Sequence, residues 1–83
     1  MNIANNYINE AILNDLTTRY QKTTLTKKEL AKELNMSVSS ISNYISKGAG
    51  IPSYKKIGNA KNGTVIFPII CVAEYLSNTI LVA

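Results

Sequence analysis

The stretch that decides the fold is Leu25 to Gly48, with the sequence LTKKELAKELNMSVSSISNYISKG. Leu30, Ala31 and Leu34 are spaced so that they share one face of a helix. Helices this short are not stable alone, so they must pack against each other and against the rest of the chain. A second apolar face follows the break at residues 35–37, and its members are Val38, Ile41, Tyr44 and Ile45.

Local signals mark where these two helices begin and end. Thr26 and Glu29 form a capping-box pattern, in which each side chain accepts a hydrogen bond from the other residue's backbone amide. Asn35 follows the first helix, and asparagine tolerates the left-handed conformation that a tight turn needs. Ser37 is the predicted N-cap of the second helix, and Gly48 is its predicted stop. Together the signals predict a helix-turn-helix over residues 25–48.

The rest of the sequence predicts three further elements and a tail within one domain, residues 1–83. Residues 1–22 predict an N-terminal helix, because apolar side chains recur at intervals near 3.6, namely Ile3, Tyr7, Ala11, Ile12, Leu16 and Tyr20. Residues 51–67 predict a β-hairpin, in which two short strands, Ser53–Ile57 and Thr64–Phe67, flank a turn rich in glycine and asparagine. Residues 68–78 predict an apolar C-terminal helix that begins at Pro68 and lies between the first helix and the helix-turn-helix. Residues 79–83 are an apolar tail.

Composition excludes several classes of function. The chain has one cysteine, Cys71, and no histidine, so a disulfide framework and a Cys/His zinc site are excluded. No apolar run is long enough to span a membrane, and we identify no signal peptide, which favours a cytoplasmic protein. There is no histidine base, no carboxylate pair in a pocket-like setting and no glycine-rich phosphate loop, so we expect neither an enzyme nor a cofactor. Cys71 lies in an apolar run and is expected to be buried and inert.

The net positive charge is concentrated in the second half of the chain. The net charge is +4, and no acidic residue occurs between Glu33 and Glu74. Small domains with a one-sided basic surface often bind nucleic acid. A lysine surface that serves only solubility explains the charge equally well, so the charge gives both interpretations similar weight. The lysines in this interval are Lys47, Lys55, Lys56 and Lys61.

The pattern from Leu25 to Leu76 resembles the small MerR-like winged helix-turn-helix proteins of the excisionase and AlpA-type phage regulator group. The matching segments are LTKKELAKELNMSVSSISNYISKG, GIPSYKKIG at the start of the wing, and VIFPIICVAEYL after it. The family commonly has arginines at the positions of Val38 and Asn43, and its C-terminal helix is usually acidic. The resemblance implies a mainly α fold with a small β-hairpin, a winged helix-turn-helix with an added N-terminal helix.

The resemblance and the residues together predict a sequence-specific double-stranded DNA-binding protein of a phage or mobile element. It would be a transcriptional regulator or an excisionase-like factor in the bacterial cytoplasm, associated with the nucleoid and with an integrase or another recombination partner. The helix Ser37–Lys47 would enter the major groove, where Asn43 pairs with adenine and the serines reach bases or phosphates. The predicted DNA-binding residues are Lys27, Lys28, Ser37, Ser39, Ser40, Ser42, Asn43, Lys47, Lys55, Lys56, Asn59, Lys61 and Asn62.

The alternative function is a protein-binding module that uses the apolar C-terminal helix and tail. The absence of arginine from the second helix and the apolar sequence of residues 69–83 favour this alternative. The same surface would support a homodimer or a cooperative assembly on DNA. The tail itself, including Ile80–Ala83, fits a strand, a core-packing segment or a dimer contact.

Overall fold

The structure, a computed structural model, describes residues 3–58 and 64–78, with side chains from residue 9 onward. The described part is mostly helical and contains one three-stranded antiparallel sheet. The predicted tail and the residues of the hairpin turn from 59 to 63 lie outside it. The elements in chain order are α1 Ile3–Tyr20, β1 Thr24–Leu25, α2 Lys27–Leu34, α3 Val38–Lys47, β2 Lys55–Ile57, β3 Thr64–Pro68 and α4 Ile69–Ser77.

The α2–turn–α3 unit has the caps that the sequence predicts. The Thr26 hydroxyl accepts from the Glu29 amide at 3.1 Å, and the Glu29 carboxylate accepts from the Thr26 amide at 2.9 Å. Asn35 adopts the left-handed conformation, with φ 57° and ψ 46°. The Ser37 hydroxyl caps α3 by accepting a backbone N–H at 3.1 Å, and Gly48 ends the helix at φ 73°. These four predicted signals are confirmed.

The sheet contains a strand that the sequence analysis did not predict. The strand order is β1–β3–β2, so β3 is central and pairs with both of its neighbours. In β1, Thr24 pairs with Pro68 and Leu25 pairs with Phe67, and the Ile69 amide extends the ladder by donating to the Thr23 carbonyl at 2.8 Å. The β1 strand therefore joins the segment after α1 to the end of the hairpin.

Two predicted boundaries of the hairpin and the following helix are wrong by one or two residues. The first strand begins at Lys55 rather than Ser53. Pro68 ends β3 and caps α4 instead of occupying the first helical turn. Its ψ of 134° is extended, because it still pairs with Thr24 in the sheet.

One hydrophobic core joins all the helices and the sheet. In α1, Leu16 is buried as the apolar periodicity predicts, whereas Ala11 is exposed and Leu13 packs against the core in its place. Val38 and Tyr44, at the edges of the predicted apolar face of α3, are 43% and 37% exposed. The largest fully buried side chains are Phe67, Leu16, Leu25, Leu30, Ile41 and Val72.

Helix α4 packs mainly along α1 and next to β3. Val72 and Ala73 are fully buried, and the Tyr75 hydroxyl donates to the Gly50 carbonyl at 2.9 Å. The predicted position of α4 between α1 and the helix-turn-helix is corrected, because the helix packs on α1 and β3 instead, and Ile70 at its start is 61% exposed. Cys71 is only partly buried, so its predicted full burial is also corrected. None of the described helices is both long and apolar enough to cross a membrane.

Candidate nucleic-acid interface

The packing of α3 leaves one polar face of the helix in solvent. Ile41 is fully buried and Ile45 packs against the core, so the 3.6-residue period places the positions near 39, 43 and 46 on the opposite side. We call this side the α3 outer face. It consists of four exposed residues, Ser39, Asn43, Ser46 and Lys47.

Sequence reasoning missed one member of the α3 outer face. Ser46 is exposed and follows Asn43 by three residues and Ser42 by four, which places it on the same side of the helix. That spacing was the signal that could have identified it. The structure therefore adds Ser46 to the residues that a ligand on this face would meet.

Two of the predicted site serines have a structural role at the start of α3. Ser37 is the N-cap, and its hydroxyl lies 3.0 Å from the hydroxyl of Ser40. These contacts satisfy an amide that the first turn would otherwise leave without a partner. They hold the N-terminal turn in place, and Ser39 is exposed just beside it.

A recess forms where α2, α3 and the hairpin meet, and we call it the three-element recess. Lys27 comes from the first residue of α2, and its ammonium donates to the Ser42 hydroxyl of α3 at 3.4 Å. Ser46 adds a second hydroxyl, and Lys56 of β2 adds a second ammonium. The whole lining is Lys27, Ser42, Ile45, Ser46, Tyr54, Lys56 and Val65, which contains no carboxylate.

The register of the hairpin separates its two neighbouring lysines. Lys56 pairs with Val65 and Lys55 pairs with Ile66. Directly paired residues project on the same face of an antiparallel sheet, and Val65 is buried. Lys56 therefore projects on the sheet face of Val65, within the three-element recess, while Lys55 projects on the other face.

Two aromatic residues lie among the basic side chains of this region. The Tyr54 ring packs against the Phe67 ring with centroids 5.8 Å apart, and Tyr54 stays 40% exposed at the recess. The Lys47 ammonium lies 5.9 Å from the centroid of the Tyr44 ring, a distance at which a cation is attracted to the ring face.

Lys28 is exposed on α2.

The acidic residues near α2 are already paired with other basic groups. Within residues 9–58 and 64–78, the ion pairs are those of Arg19 with Asp15 and Glu33, and of Lys22 with Glu29. The Lys22 ammonium and the Thr26 amide hold the pKa of Glu29 below its ordinary value. In the same part of the chain, no ion pair involves the lysines predicted to bind DNA, namely Lys27, Lys28, Lys47, Lys55 and Lys56.

The arrangement offers hydrogen bonds and positive charge over one continuous area. The structure brings together Lys27, Ser42 and Lys56, with Asn43 and Lys47 on the adjacent outer face, and it separates Lys55 from them. Asn59, Lys61 and Asn62 lie outside the described residues. In the part that the structure describes, no group of three or more His, Cys, Asp or Glu residues could hold a metal ion. In comparisons with known proteins, no family model, no curated protein and no solved structure matches the chain.

Proposed function

We propose that the chain is a MerR-like winged helix-turn-helix protein that binds double-stranded DNA with sequence preference. Its role would be that of a transcriptional regulator or an excisionase-like factor of a phage or mobile element. One observation carries the proposal: the exposed polar face of α3 adjoins a recess with two lysines and no carboxylate. A polyanion that displays hydrogen-bonding groups is the ligand that such a surface fits.

The composition of the α3 outer face supports contact with bases. A recognition helix in the major groove needs outward side chains that are small or polar, so that the helix can approach the base edges. Ser39 and Ser46 are small, and the Asn43 amide can donate to and accept from the edge of adenine at once. Lys47 is the last residue of the helix and would bind a phosphate.

The hairpin acts as the wing in this proposal. Lys56 faces α3 across the three-element recess and would bind the backbone close to the recognition helix. Lys55, on the other sheet face, would reach a phosphate farther along the duplex. Phosphate contacts of this kind fix the position of a protein on DNA, while the bases supply the sequence preference.

The test is a binding titration with duplexes selected from a random library, followed by fluorescence anisotropy over a range of salt concentrations. Lys47→Glu should weaken binding at least tenfold, because it places a negative charge beside the phosphates. Lys32→Glu is the matched control, since Lys32 is exposed on α2 and outside the proposed interface. Absence of duplex binding, or an equal loss in the two variants, would contradict the proposal.

A second candidate function is association with a second copy of the chain through the start of α4. It is favoured by Ile70, which is 61% exposed beside Leu13, Pro68 and Ile69. Large apolar side chains grouped on a surface are typical of association sites. Sedimentation without DNA tests it: Ile70→Ser should reduce the apparent mass if this contact forms a dimer. A monomeric wild-type protein at high concentration would exclude it.

A further inference from the structure

The three-element recess draws its polar groups from three separate parts of the chain. Lys27 begins α2, Ser42 and Ser46 stand one turn apart on α3, and Lys56 belongs to β2. Two cations and two hydroxyls therefore converge from different directions on one space. Such convergence requires the tertiary fold, because no short stretch of sequence contains all four groups.

The charge in this recess has no compensating anion among the described residues. Lys27 is partly buried, and its contact there is the Ser42 hydroxyl at 3.4 Å. An ammonium has three donors, so a single long hydrogen bond leaves most of its capacity unused. Lys56 lines the same recess, and its like charge repels that of Lys27. A bound anion would remove both costs.

We propose that the three-element recess binds one backbone phosphate of duplex DNA, shared by Lys27 and Lys56 and hydrogen-bonded by the α3 serines. The inference rests on the proposed function and specifies which phosphate contact the fold has built. A tetrahedral phosphate group presents several acceptor oxygens, and these match ammonium and hydroxyl donors that approach from three sides. Because Ser46 belongs both to the recess and to the α3 outer face, the phosphate would set how α3 lies against the bases.

Sharing one phosphate makes a prediction that independent lysine contacts do not make. The slope of log affinity against log salt falls by about 0.9 for each phosphate contact that is lost. Lys27→Gln and Lys56→Gln should each change the slope little, because the other lysine still neutralises the phosphate, and the double variant should lower it by about 0.9. Two separate phosphate contacts would give a loss of about 1.8 in the double variant.

The matched control pair is Lys28→Gln with Lys55→Gln. Both lysines are exposed, and they lie on different elements outside the recess. Their effects on the slope should add, whatever the size of each, because they cannot share one phosphate through the recess. Additive slopes in the Lys27 and Lys56 pair as well would overturn the shared site.

A second measurement tests the recess without DNA. Inorganic phosphate, titrated against chloride at equal ionic strength, should shift the amide NMR signals of Ser42, Ser46 and Lys56. The shifts should disappear in Lys27→Gln and persist in Lys28→Gln. A response confined to other residues, or one that Lys27→Gln leaves unchanged, overturns the site. If phosphate binds the recess but no duplex binds, the proposed DNA function fails while the anion site stands. If duplex DNA binds and inorganic phosphate leaves the signals of the recess unchanged, the anion site fails while the proposed DNA function stands.

Discussion

Arg19 of α1 and Glu33 of α2 form a bidentate ion pair, with Nη1–Oε2 and Nη2–Oε1 distances of 2.9 and 2.7 Å. Asp15 accepts from the same guanidinium, and the Tyr20 hydroxyl donates to Glu33. The chain's single arginine is thus used to join α1 to α2. The DNA interface that we propose would therefore depend on lysine, asparagine and serine.

Removing the charge of Glu33 should destabilise the protein. The Glu33 side chain is 12% exposed and accepts from Arg19 and Tyr20, so Glu33→Gln leaves the guanidinium without its bidentate partner. We expect the free energy of unfolding to fall by about 1 kcal/mol, measured by urea denaturation. Glu10→Gln is the control. Glu10 is exposed on α1, so its substitution should change the free energy of unfolding by less than about 0.5 kcal/mol. Equal effects in the two variants would contradict this role.

The same ion pair predicts a loss of stability in acid. The Arg19 guanidinium, aided by the Tyr20 hydroxyl, lowers the pKa of Glu33 to about 2 against the opposing effect of burial. A carboxylate with a lowered pKa contributes stability above its ordinary value of 4.5, and that contribution is lost as the pH falls towards 2. Between pH 4.5 and pH 2, the free energy of unfolding should therefore fall more steeply with decreasing pH for wild type than for Glu33→Gln. Parallel curves would show that the pair does not form in solution.

The turn between α2 and α3 should distinguish alanine from glycine. Asn35 is held at φ 57°, a conformation that a Cβ atom disfavours. Asn35→Ala should cost about 1 kcal/mol of unfolding free energy, while Asn35→Gly should stay within about 0.5 kcal/mol of wild type. The comparison needs only thermal and urea denaturation of the two variants. If alanine were tolerated as well as glycine, the left-handed turn would be wrong.

Truncation at the centre of the sheet should be the most damaging change in the core. Phe67 is fully buried on β3, so Phe67→Ala should lose about 3–5 kcal/mol, much of the stability of a small domain. Phe67→Leu, which keeps more volume, should remain folded and cost less than about 1.5 kcal/mol. Ile57→Ala is the surface control at 50% exposure and should fall within about 0.5 kcal/mol. Calorimetry measures the stability of the three variants. If Ile57→Ala cost as much stability as Phe67→Leu, the placement of Phe67 in the core would be wrong.

Asn43 should determine sequence preference more than overall affinity. On a selected duplex, Asn43→Ala should reduce the discrimination between the preferred adenine and its replacements by about 1–3 kcal/mol. Binding to unrelated duplex should stay the same, because phosphate contacts dominate it. Asn14→Ala, an exposed asparagine of α1, should leave both quantities unchanged. A uniform loss on all duplexes would instead assign Asn43 to the backbone.

The parts of the fold that the sequence predicts correctly are those set by neighbouring residues. The capping box of Thr26 and Glu29, the left-handed turn at Asn35 and the stop at Gly48 each depend on three or four consecutive positions. Strand β1 was missed because its two residues gain their structure only by pairing with Phe67 and Pro68, more than 40 positions away. Short-range patterns carry no information about such a pairing.

The same distinction between local and long-range information applies to the candidate site. Helical spacing is enough to place Asn43 on the outer face, and it could have placed Ser46 there too. The opposite directions of Lys55 and Lys56 follow from the register with Ile66 and Val65, which needs the paired strand. The contact between Lys27 and Ser42 likewise depends on how α2 packs against α3.

The direct passage from β3 into α4 has a consequence for the entropy of binding. Pro68 ends the strand and Ile69 begins the helix, so no flexible loop separates the hairpin from the helix that packs on α1. The backbone hydrogen bond from Ile69 to Thr23 holds this junction from the other side. The base of the hairpin is therefore preorganised, and docking it on a ligand costs little conformational freedom.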